Sequence, residues 1–398
     1  MRAIIKTYES GEGDCIFFQI EEDTNRYVIM IDCGEYTETI KKHVEHDLNK
    51  HIDLLIVTHI DKDHIIGVED MLHSTPDLEI GKILFNCYQR DGGKQIITLT
   101  PQQKTRLDGI KSEINCVFQD IIQHEVSAPQ ASKELAKTIL TNEQWRDRWE
   151  RPYIAIDAKN EEYLGDWGTI KFLAPTMKEI TALDDQFKSL LFSELFSEID
   201  GVEYDDSESI YEILLRYADL YGMQETIDEH ETAGEDLEQT LIDAAEEPVK
   251  ENKITPSNKA SLAFVWEKGD KKVLFLGDAK PGIVVSGLLK HYPNGPYPMK
   301  FEAIKVAHHG SHFNTTENLM QHIDSEHYFV TGGEDCVRPS EAALGRILLN
   351  PLKCGINGRT LHVNYKTTLT DKLENDKSLQ EKYHFQVDYE QNNHEFTL

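Results

Sequence analysis

The sequence predicts an α/β protein in which a β-sheet is covered by helices on its outer face. Three short runs of β-forming residues lie around turns near the N-terminus, and such runs are typical of a meander. Segments with helical spacing then alternate with two further apolar runs, and this β-β-β-α-β-α-β order suits a layered α/β fold. The predicted elements are strands at 3–8, 15–20, 27–31, 53–58 and 79–86, and helices at 37–48 and in the stretch that ends near Leu72.

The apolar run at 54–57 is followed at once by a dense group of metal-ligating residue types. His59, Asp61, Asp63 and His64 stand within six positions of one another. Imidazoles and carboxylates so close together at the end of a buried strand are suited to a divalent-metal site. Alternate residues project to different sides of a turn, so these ligands can divide between two adjacent ions. A solvated, charged loop is the alternative, and the apolar residues on both sides make it the weaker interpretation.

This stretch, His59-x-Asp61-x-Asp63-His64, resembles motif II of the metallo-β-lactamase superfamily, in the variant with Asp at the second ligand position. Within the superfamily the sequence is most similar to the soluble hydrolase domain of the bacterial DNA-uptake channel protein ComEC. The resemblance covers about 1–90 and 255–350, and it implies an αββα sandwich. The other stretches that carry it are Ser10-Gly11-Glu12-Gly13-Asp14, Asp32-Cys33-Gly34, Gly277-Asp278 and His308-His309-Gly310-Ser311.

The resemblance implies a hydrolase core at 1–100 and 252–398, interrupted between motifs II and IV by an acidic, mainly helical insertion at 101–251. In this superfamily such insertions tend to cap the metal cleft, and this one is also a candidate region for a protein partner. The segment 225–251 contains eleven acidic residues and one lysine, so we expect a solvated helix or a mobile segment. Further predicted elements are helices at 102–123, 132–149, 177–199 and 207–221, and strands at 153–156 and 169–173, the latter a candidate for the core sheet.

The composition limits the partners and the compartment. A formal charge of −30, from 41 basic and 71 acidic residues, opposes unaided binding to nucleic acid or to an anionic membrane. It leaves a nuclease open, because bound cations can reverse the field inside a cleft. The six cysteines form no dense framework, and no apolar run is long enough to span a bilayer. We therefore expect a cytoplasmic protein without a membrane partner.

One ligand of the wider superfamily is missing from this sequence. A metal-binding histidine usually stands in a turn before the strand that begins near 262, and here Ser257 or Asn258 stands near that place. The first ion would then be surrounded mainly by oxygen, from Asp61, Asp278 and water, which suits Mn²⁺ better than Zn²⁺. The expected cofactor is a pair of divalent ions, with Mn²⁺ favoured and Zn²⁺ as the second choice. The histidines that could fold back to replace the missing ligand are His124 and His230.

The resemblance also implies roles for the other polar residues. Asp278 is expected to bridge the two ions, although a helix N-cap is the alternative. Only one of His308 and His309 is needed as a ligand, and His309 is favoured. His308 would then bind a phosphate oxygen or protonate the leaving group. Asp32 or Asp63 is expected to orient the attacking water.

Four residues are candidates for substrate binding: Asn258, Ser261, Ser311 and Arg338. Ser311 has a helix-capping role as its alternative. Arg338 precedes Pro339 where ComEC-like domains carry a His-Pro pair. An arginine cannot act as a neutral metal ligand, but it binds phosphate well.

The predicted reaction is hydrolysis by water that a pair of cations activates. The resemblance implies a phosphodiester substrate, so the leading hypothesis is a nuclease or phosphodiesterase that works alone or within a multi-protein system. The alternatives are a hydrolase of a small ester, nucleotide signal or peptide, and a catalytically weak scaffold whose acidic insertion binds a partner. A nuclease should show a basic strip that leads into the cleft, with Lys280, Lys305, Arg338 and Arg346 as candidates.

Overall fold

Two β-sheets face each other, and helices cover the outer face of each, so the fold has four layers in the order αββα. The predicted αββα sandwich is therefore confirmed. The structure, a computed structural model, describes residues 1–87, 128–150, 153–183, 236–333, 338–353, 355–389 and 393–397.

The strands form two large sheets and one short pair. The first sheet has the order β16-β1-β2-β3-β4-β5, the second has the order β15-β14-β13-β11-β9-β8-β7-β6, and β10 pairs with β12. In chain order the strands are β1 (Arg2–Thr7), β2 (Ile16–Glu22), β3 (Asn25–Ile31), β4 (His51–Val57), β5 (Glu79–Phe85), β6 (Glu161–Tyr163), β7 (Thr169–Ala174), β8 (Ala263–Lys268), β9 (Lys271–Phe275), β10 (Met299–Phe301), β11 (Ala303–Lys305), β12 (Ile323–Ser325), β13 (His327–Val330), β14 (Arg359–Val363), β15 (Phe385–Asp388) and β16 (Asn393–Thr397).

The helices lie on the two outer faces and in the connections. Short 3₁₀ segments occur at Gly165–Trp167, Glu251–Lys253 and Ala307–Gly310, and a π-helical turn at His43–Asp47 follows the first helix. The α-helices are α1 (Glu38–Lys42), α2 (Lys62–Ser74), α3 (Ala128–Thr141), α4 (Glu143–Arg146), α5 (Leu237–Glu246), α6 (Pro256–Lys259), α7 (Pro281–His291), α8 (Glu317–Met320), α9 (Glu341–Leu348), α10 (Thr368–Asn375) and α11 (Lys377–Tyr383). In this described part of the chain, none of the helices has the length and apolar character needed to cross a bilayer.

The interior layer lies between the two sheets and is rich in aromatic side chains. Phe18 of β2 meets Trp266 of β8 edge-to-face, with ring centroids 4.8 Å apart, and Phe275 of β9 lies 5.7 Å from Phe18. Such pairs add to the free energy gained from apolar burial. β4 pairs in parallel with β3 and β5 and is buried on both faces, as its unbroken apolar run predicts. The end of β4 is consequently held rigidly between the layers.

Two predicted elements differ from the structure. The expected strand at 153–156 is irregular, because Asn86 exchanges two hydrogen bonds with the backbone of Ile154, at 2.6 and 2.8 Å, and so takes the place of a strand partner. The expected helix at 132–149 is broken after Thr141, because the side chain of Asn142 caps a new turn. The predicted helices at 102–123 and 207–221 lie outside the described residues, and 177–199 is described only to 183.

Parts of the predicted insertion pack against the core. The strand predicted at 169–173 is β7, and it belongs to the second sheet, between β6 and β8. In the acidic segment, α5 lies against α9, where Leu241 is fully buried and a Cβ on Gly345 would come within 2.4 Å of the Leu241 carbonyl oxygen. A solvated or mobile segment is therefore the wrong description for the inner face of α5. The division into a core and an insertion at 101–251 stays a prediction.

Candidate metal centre

The predicted ligands converge at one edge of the sandwich, where strands of both sheets end. β4 is followed by His59, β9 by Asp278, and β11 by the pair His308 and His309. The side chains of His59, Asp278 and His309 are almost completely buried. Because the carboxyl ends of parallel strands meet at one edge, residues far apart in the sequence are brought together there.

Hydrogen bonds fix the tautomers of His59 and His64. Asp32 accepts from the backbone N–H and the hydroxyl of Thr58, both at 2.7 Å, and from Nδ1 of His64 at 2.8 Å. Since the Thr58 hydroxyl donates to Asp32, it accepts from Nδ1 of His59, at 2.9 Å. The network therefore assigns the proton to Nδ1 in both rings. Neither Nε2 atom has a hydrogen-bond partner among the described residues.

The same tautomer is assigned to His308 and His309. Nδ1 of His309 donates to the carbonyl oxygen of Thr331 at 3.0 Å. Nδ1 of His308 donates to Oδ1 of Asn314 at 3.0 Å, because the amide nitrogen of Asn314 is used on the carbonyl of Asp278 at 2.9 Å. Both histidines have left-handed backbones, with φ of 49° and 53°. Such strain is typical of functional sites.

Asp278 stands at the centre of these rings. Its Oδ2 atom lies 3.4 Å from Nε2 of His308 and 3.7 Å from Nε2 of both His59 and His64. Its other oxygen, Oδ1, is buried and accepts no hydrogen bond from the described residues. The helix N-cap at this point is Lys280 rather than Asp278. This geometry suits a carboxylate that two ions share.

Two further carboxylates complete the cluster. Oδ2 of Asp63 lies 3.1 Å from Nε2 of His309 and 3.4 Å from Nε2 of His64, and Oδ2 of Asp61 lies 3.4 Å from Nε2 of His59. Distances of this size are those expected between atoms that bind one ion, each about 2.1 Å from it. The donor atoms therefore fit divalent metal ions. Groups of residues close enough to share an ion include His59 with His64 and Asp278, and Asp63 with His64 and His309.

In this cluster the pKa of Asp278 is lowered, while the pKa values of His64 and His309 are raised. Burial alone would raise the pKa of Asp278, but His308 and the other nearby imidazoles hold it well below its usual range. Burial alone would lower the pKa of His64, but the surrounding carboxylates raise it well above the usual value. Burial alone would lower the pKa of His309 as well, but the nearby Asp14 carboxylate outweighs it and raises this pKa to about 9. The Asp278 carboxylate is therefore ionised and able to accept a cation.

The turn that lacks a histidine is close to the centre. In α6, the hydroxyl of Ser257 donates to Oδ1 of Asp61. The side-chain nitrogen of Asn258 lies 3.5 Å from both ring nitrogens of His308. His308 therefore occupies the space beside this turn and faces Asp278, so both members of the histidine pair reach the cluster. The alternative donors His124 and His230 lie outside the described residues.

The three other residues predicted to contact substrate, Ser261, Ser311 and Arg338, differ in burial and in their contacts. Ser261 is fully buried, and its hydroxyl accepts from the backbone N–H of Asp278 at 3.0 Å, so it orients that carboxylate. Ser311 is buried in the turn after His309, and its hydroxyl accepts from the N–H of Phe313 at 3.3 Å. Arg338 is partly exposed in the segment that packs against the histidine turn, where Ser340 donates to the Gly310 carbonyl.

Two of the four basic residues proposed to form a strip into the cleft are buried within the fold. Lys305 is buried and pairs with Asp14 at 2.7 Å. Arg346 is buried and donates to backbone carbonyls of two neighbouring segments. Lys280 pairs with Glu251 at 3.3 Å. The expected strip is therefore wrong for Lys305 and Arg346, because their charges are used within the fold. Lys280 is partly exposed, and its place in a strip stays a prediction.

Sequence reasoning missed the residues that support the ligands. Thr58 and Asn314 fix the tautomers of two histidines, and Thr331 does so for a third. Asp14 belongs to a stretch that carries the family resemblance, but no sequence pattern indicates its contact with His309. Polar residues directly after buried strands, such as Thr58 and Thr331, are the signal that could have identified two of them.

The two facing sheets and the centre of imidazoles and carboxylates define a metal-binding αββα protein. Residues 11–127 match the model of the Metallo-beta-lactamase superfamily. This region therefore contains a metallo-β-lactamase superfamily domain, and the fold is the metallo-β-lactamase fold. Members of this superfamily are mostly hydrolases, and zinc is the metal they usually bind.

Two solved structures are similar to this chain. One is a mutant of CmlA beta-hydroxylase, at 9% identity and a TM-score of 0.38, with 100% of this chain and 54% of that chain covered. The other is the metallo-beta-lactamase fold protein YhfI from Bacillus subtilis, at 9% identity and a TM-score of 0.37, with both chains covered completely. The present chain thus spans about half the length of the CmlA protein. No curated protein matches the sequence.

Proposed function

We propose that this protein is a metal-dependent hydrolase that cleaves phosphodiester bonds. The observation that carries the proposal is the convergence of buried imidazole Nε2 atoms on the Asp278 carboxylate. Every one of these rings has its Nδ1 proton directed away from Asp278. That arrangement presents lone pairs, rather than protons, to a cation.

Two sets of residues would hold the ions. Asp278 is common to both sets, and hydrolysis needs no nucleophilic side chain. When bound, two divalent ions act as Lewis acids and lower the pKa of a water molecule toward neutrality. The first set is His59, Asp61, Asp278 and His308, and the second is Asp63, His64, His309 and Asp278.

The remaining residues keep these donors in place. Asp32 holds His64 directly and His59 through Thr58. Asp63, whose side chain is 32% exposed, is the ligand most open to solvent in its set and is our candidate to orient water. Arg338 is our candidate to bind a substrate phosphate.

The identity of the metal is also part of the proposal. Asp61, Asp278 and the Ser257 hydroxyl give the first set an oxygen-rich side, which favours Mn²⁺. His308 adds an imidazole to the same set, so Zn²⁺ is the alternative. Metal analysis of the purified protein decides between them.

The proposed substrate class is the one that the sequence resemblance implies. The proposed size of the substrate follows from the positions of the basic residues. Because Lys305 and Arg346 are used within the fold, they cannot form a track for a nucleic-acid backbone. A nucleotide-sized diester is therefore the first substrate to test, and single-stranded DNA is the contrast. A partner that binds the acidic insertion could present a longer substrate.

The test is hydrolysis of bis-p-nitrophenyl phosphate, cyclic dinucleotides and single-stranded DNA with Mn²⁺, Zn²⁺ or Mg²⁺. p-Nitrophenyl acetate serves as the ester control. We expect diester cleavage that chelation abolishes and that Asp278→Asn lowers at least about 100-fold. The exposed Asp166 provides the matched control, Asp166→Asn. Ester cleavage without diester cleavage would move the function to the alternative class, and no cleavage of either would contradict the proposal.

A further inference from the structure

We propose that Asp14 and Lys305 form a buried ion pair that positions His309, and that the turn containing Asp14 also positions Asp63. Both would act through metal ligands as positioning residues. This inference rests on the proposed function, because positioning a metal ligand matters only if the site binds metal. The contacts from which it is argued do not depend on the identity of the substrate. It gives a role to the stretch Ser10-Gly11-Glu12-Gly13-Asp14, which the metal sets above leave unused.

The ion pair is almost completely removed from solvent. Asp14 and Lys305 are 1% and 3% exposed, and Nζ of Lys305 lies 2.7 Å from Oδ2 of Asp14. Lys305 also donates to the backbone carbonyl of Val306 at 2.9 Å. Removing one partner of such a pair leaves an uncompensated charge in the interior. The Asp14–Lys305 ion pair is therefore a fixed part of the protein interior.

The second oxygen of Asp14 is directed toward the histidine. Oδ1 accepts from the hydroxyl of Thr331 and lies 3.3 Å from Nδ1 of His309. The same Nδ1 atom donates to the Thr331 carbonyl at 3.0 Å. A carboxylate behind a ligating imidazole fixes its orientation and makes its other nitrogen a better donor. Lys305 neutralises that carboxylate and holds it in place.

The turn before Asp14 contacts the other ligand of the same ion. A Cβ on Gly13 would lie 1.5 Å from the carbonyl oxygen of Asp63. Glycine is therefore required at this position, because the two backbones touch. Gly34 approaches the same carbonyl oxygen, since its Cβ would lie 2.6 Å away. One short segment thus fixes Asp63 through its backbone and His309 through the Asp14 side chain.

A purely structural role predicts a loss of stability without a specific loss of metal binding. The chain offers a matched control in Asp324 of β12 and Arg359 of β14, a buried pair at 2.8 Å. The test compares two double variants at the Asp14 site. Asp14→Leu with Lys305→Met removes both charges and the acceptor, and Asp14→Asn with Lys305→Met removes the charges but keeps an acceptor for His309.

Titration calorimetry with Mn²⁺ and with Zn²⁺ measures both binding steps. We expect the Leu/Met variant to lose about 10- to 100-fold in affinity for one of the two ions and to keep the other step. The Asn/Met variant should recover most of that loss. Asp324→Leu with Arg359→Met should lower the unfolding midpoint and leave both affinities unchanged. Wild-type affinity for both ions in a folded Leu/Met variant would overturn the inference.

A second measurement separates this inference from the proposed function. Imidazole ¹⁵N spectra of the metal-free protein report which nitrogen of His309 carries the proton. At pH 10, above the His309 pKa of about 9, the ring is neutral, and we expect the Nδ1-protonated form in the wild type and a mixture of forms in the Leu/Met variant. A wild type that binds metal but cleaves no diester would contradict only the proposed function. Unchanged His309 signals in the Leu/Met variant would contradict the positioning role, even if the wild type binds no metal.

Discussion

Asp32 and His64 are joined by a fully buried hydrogen bond of 2.8 Å between Oδ2 and Nδ1, although 32 positions separate them in the sequence. The bond turns the other nitrogen of His64 toward Asp278. Asp32 is thus the acceptor around which one side of the centre is organised, and its expected part in orienting an attacking water stays a prediction.

Asp32→Asn should lower metal affinity by about 10- to 100-fold. The asparagine side chain presents an N–H₂ group to donors from Thr58 and His64, so at least one of these hydrogen bonds is lost. Asp53→Asn is the control, because Asp53 accepts a backbone N–H from Val28 at 2.8 Å, away from the centre. Titration calorimetry measures the difference, and equal affinities in the two variants would contradict the role of Asp32.

Metal binding should release protons. The Asp14 carboxylate outweighs burial and raises the pKa of His309 to about 9, so this ring carries a second proton at neutral pH in the metal-free protein. A cation displaces that proton, and affinity should therefore rise with pH until the ring is neutral, near pH 9. Calorimetry in two buffers with different ionisation enthalpies counts the protons. Binding at pH 7 without proton release would contradict this account.

His308 and His309 should affect different ions. His308 faces Asp278, and His309 faces Asp63. We expect His308→Gln to weaken one binding step and His309→Gln to weaken the other, each by at least about 10-fold. Competition with a chromogenic chelator resolves the two steps. A His308→Gln variant with both steps intact would return His308 to the role expected from the sequence, that of a substrate or leaving-group contact.

Asp324→Ala should destabilise the fold by about 3–5 kcal/mol, because it leaves the Arg359 guanidinium buried without its partner. Asp324 accepts from Arg359 at 2.8 and 3.1 Å, and from the Tyr328 hydroxyl at 2.9 Å. Urea unfolding measures the loss. A change below about 1 kcal/mol would mean that water reaches this pair.

His394 should make the stability of the fold depend on pH in the acidic range. Burial, with His327 and His362 nearby, lowers the pKa of His394 to about 3, and its ring lies 3.6 Å from that of His327. The unfolded chain binds this proton near pH 6.5. Stability is therefore complete above pH 6.5 and falls as the pH decreases toward 3.

His394→Phe should flatten this dependence. The melting temperature between pH 7.5 and 5 measures it, with His46→Phe, at an exposed position, as the control. Equal slopes in wild type and His394→Phe would exclude His394 as the cause.

The sequence was most informative where apolar runs end in polar clusters. β4 ends in the unbroken apolar run 54–57 and is followed by His59, Asp61, Asp63 and His64. An unbroken run of this kind is buried on both faces, so its end is a fixed point from which ligands can project. The cluster of ligands after β4 could be predicted for that reason, whereas the αββα sandwich and the place of Asp278 were implied by the family resemblance.

What could not be predicted depends on tertiary contacts. A sequence does not reveal whether a lysine reaches solvent, and Lys305 instead pairs with Asp14, a partner 291 positions away. Asn86 replaces a strand partner through its amide, and this removed the strand expected at 153–156. His308 adopts a left-handed backbone, which no residue type other than glycine signals in advance.

Crystals soaked in Mn²⁺, with anomalous difference maps collected above the manganese edge, would reveal whether the centre holds two ions. We expect two peaks a few ångströms apart, one beside His59, Asp278 and His308 and the other beside Asp63, His64 and His309. A map without a peak at Asp278, or with its only peaks elsewhere on the molecule, would contradict this expectation.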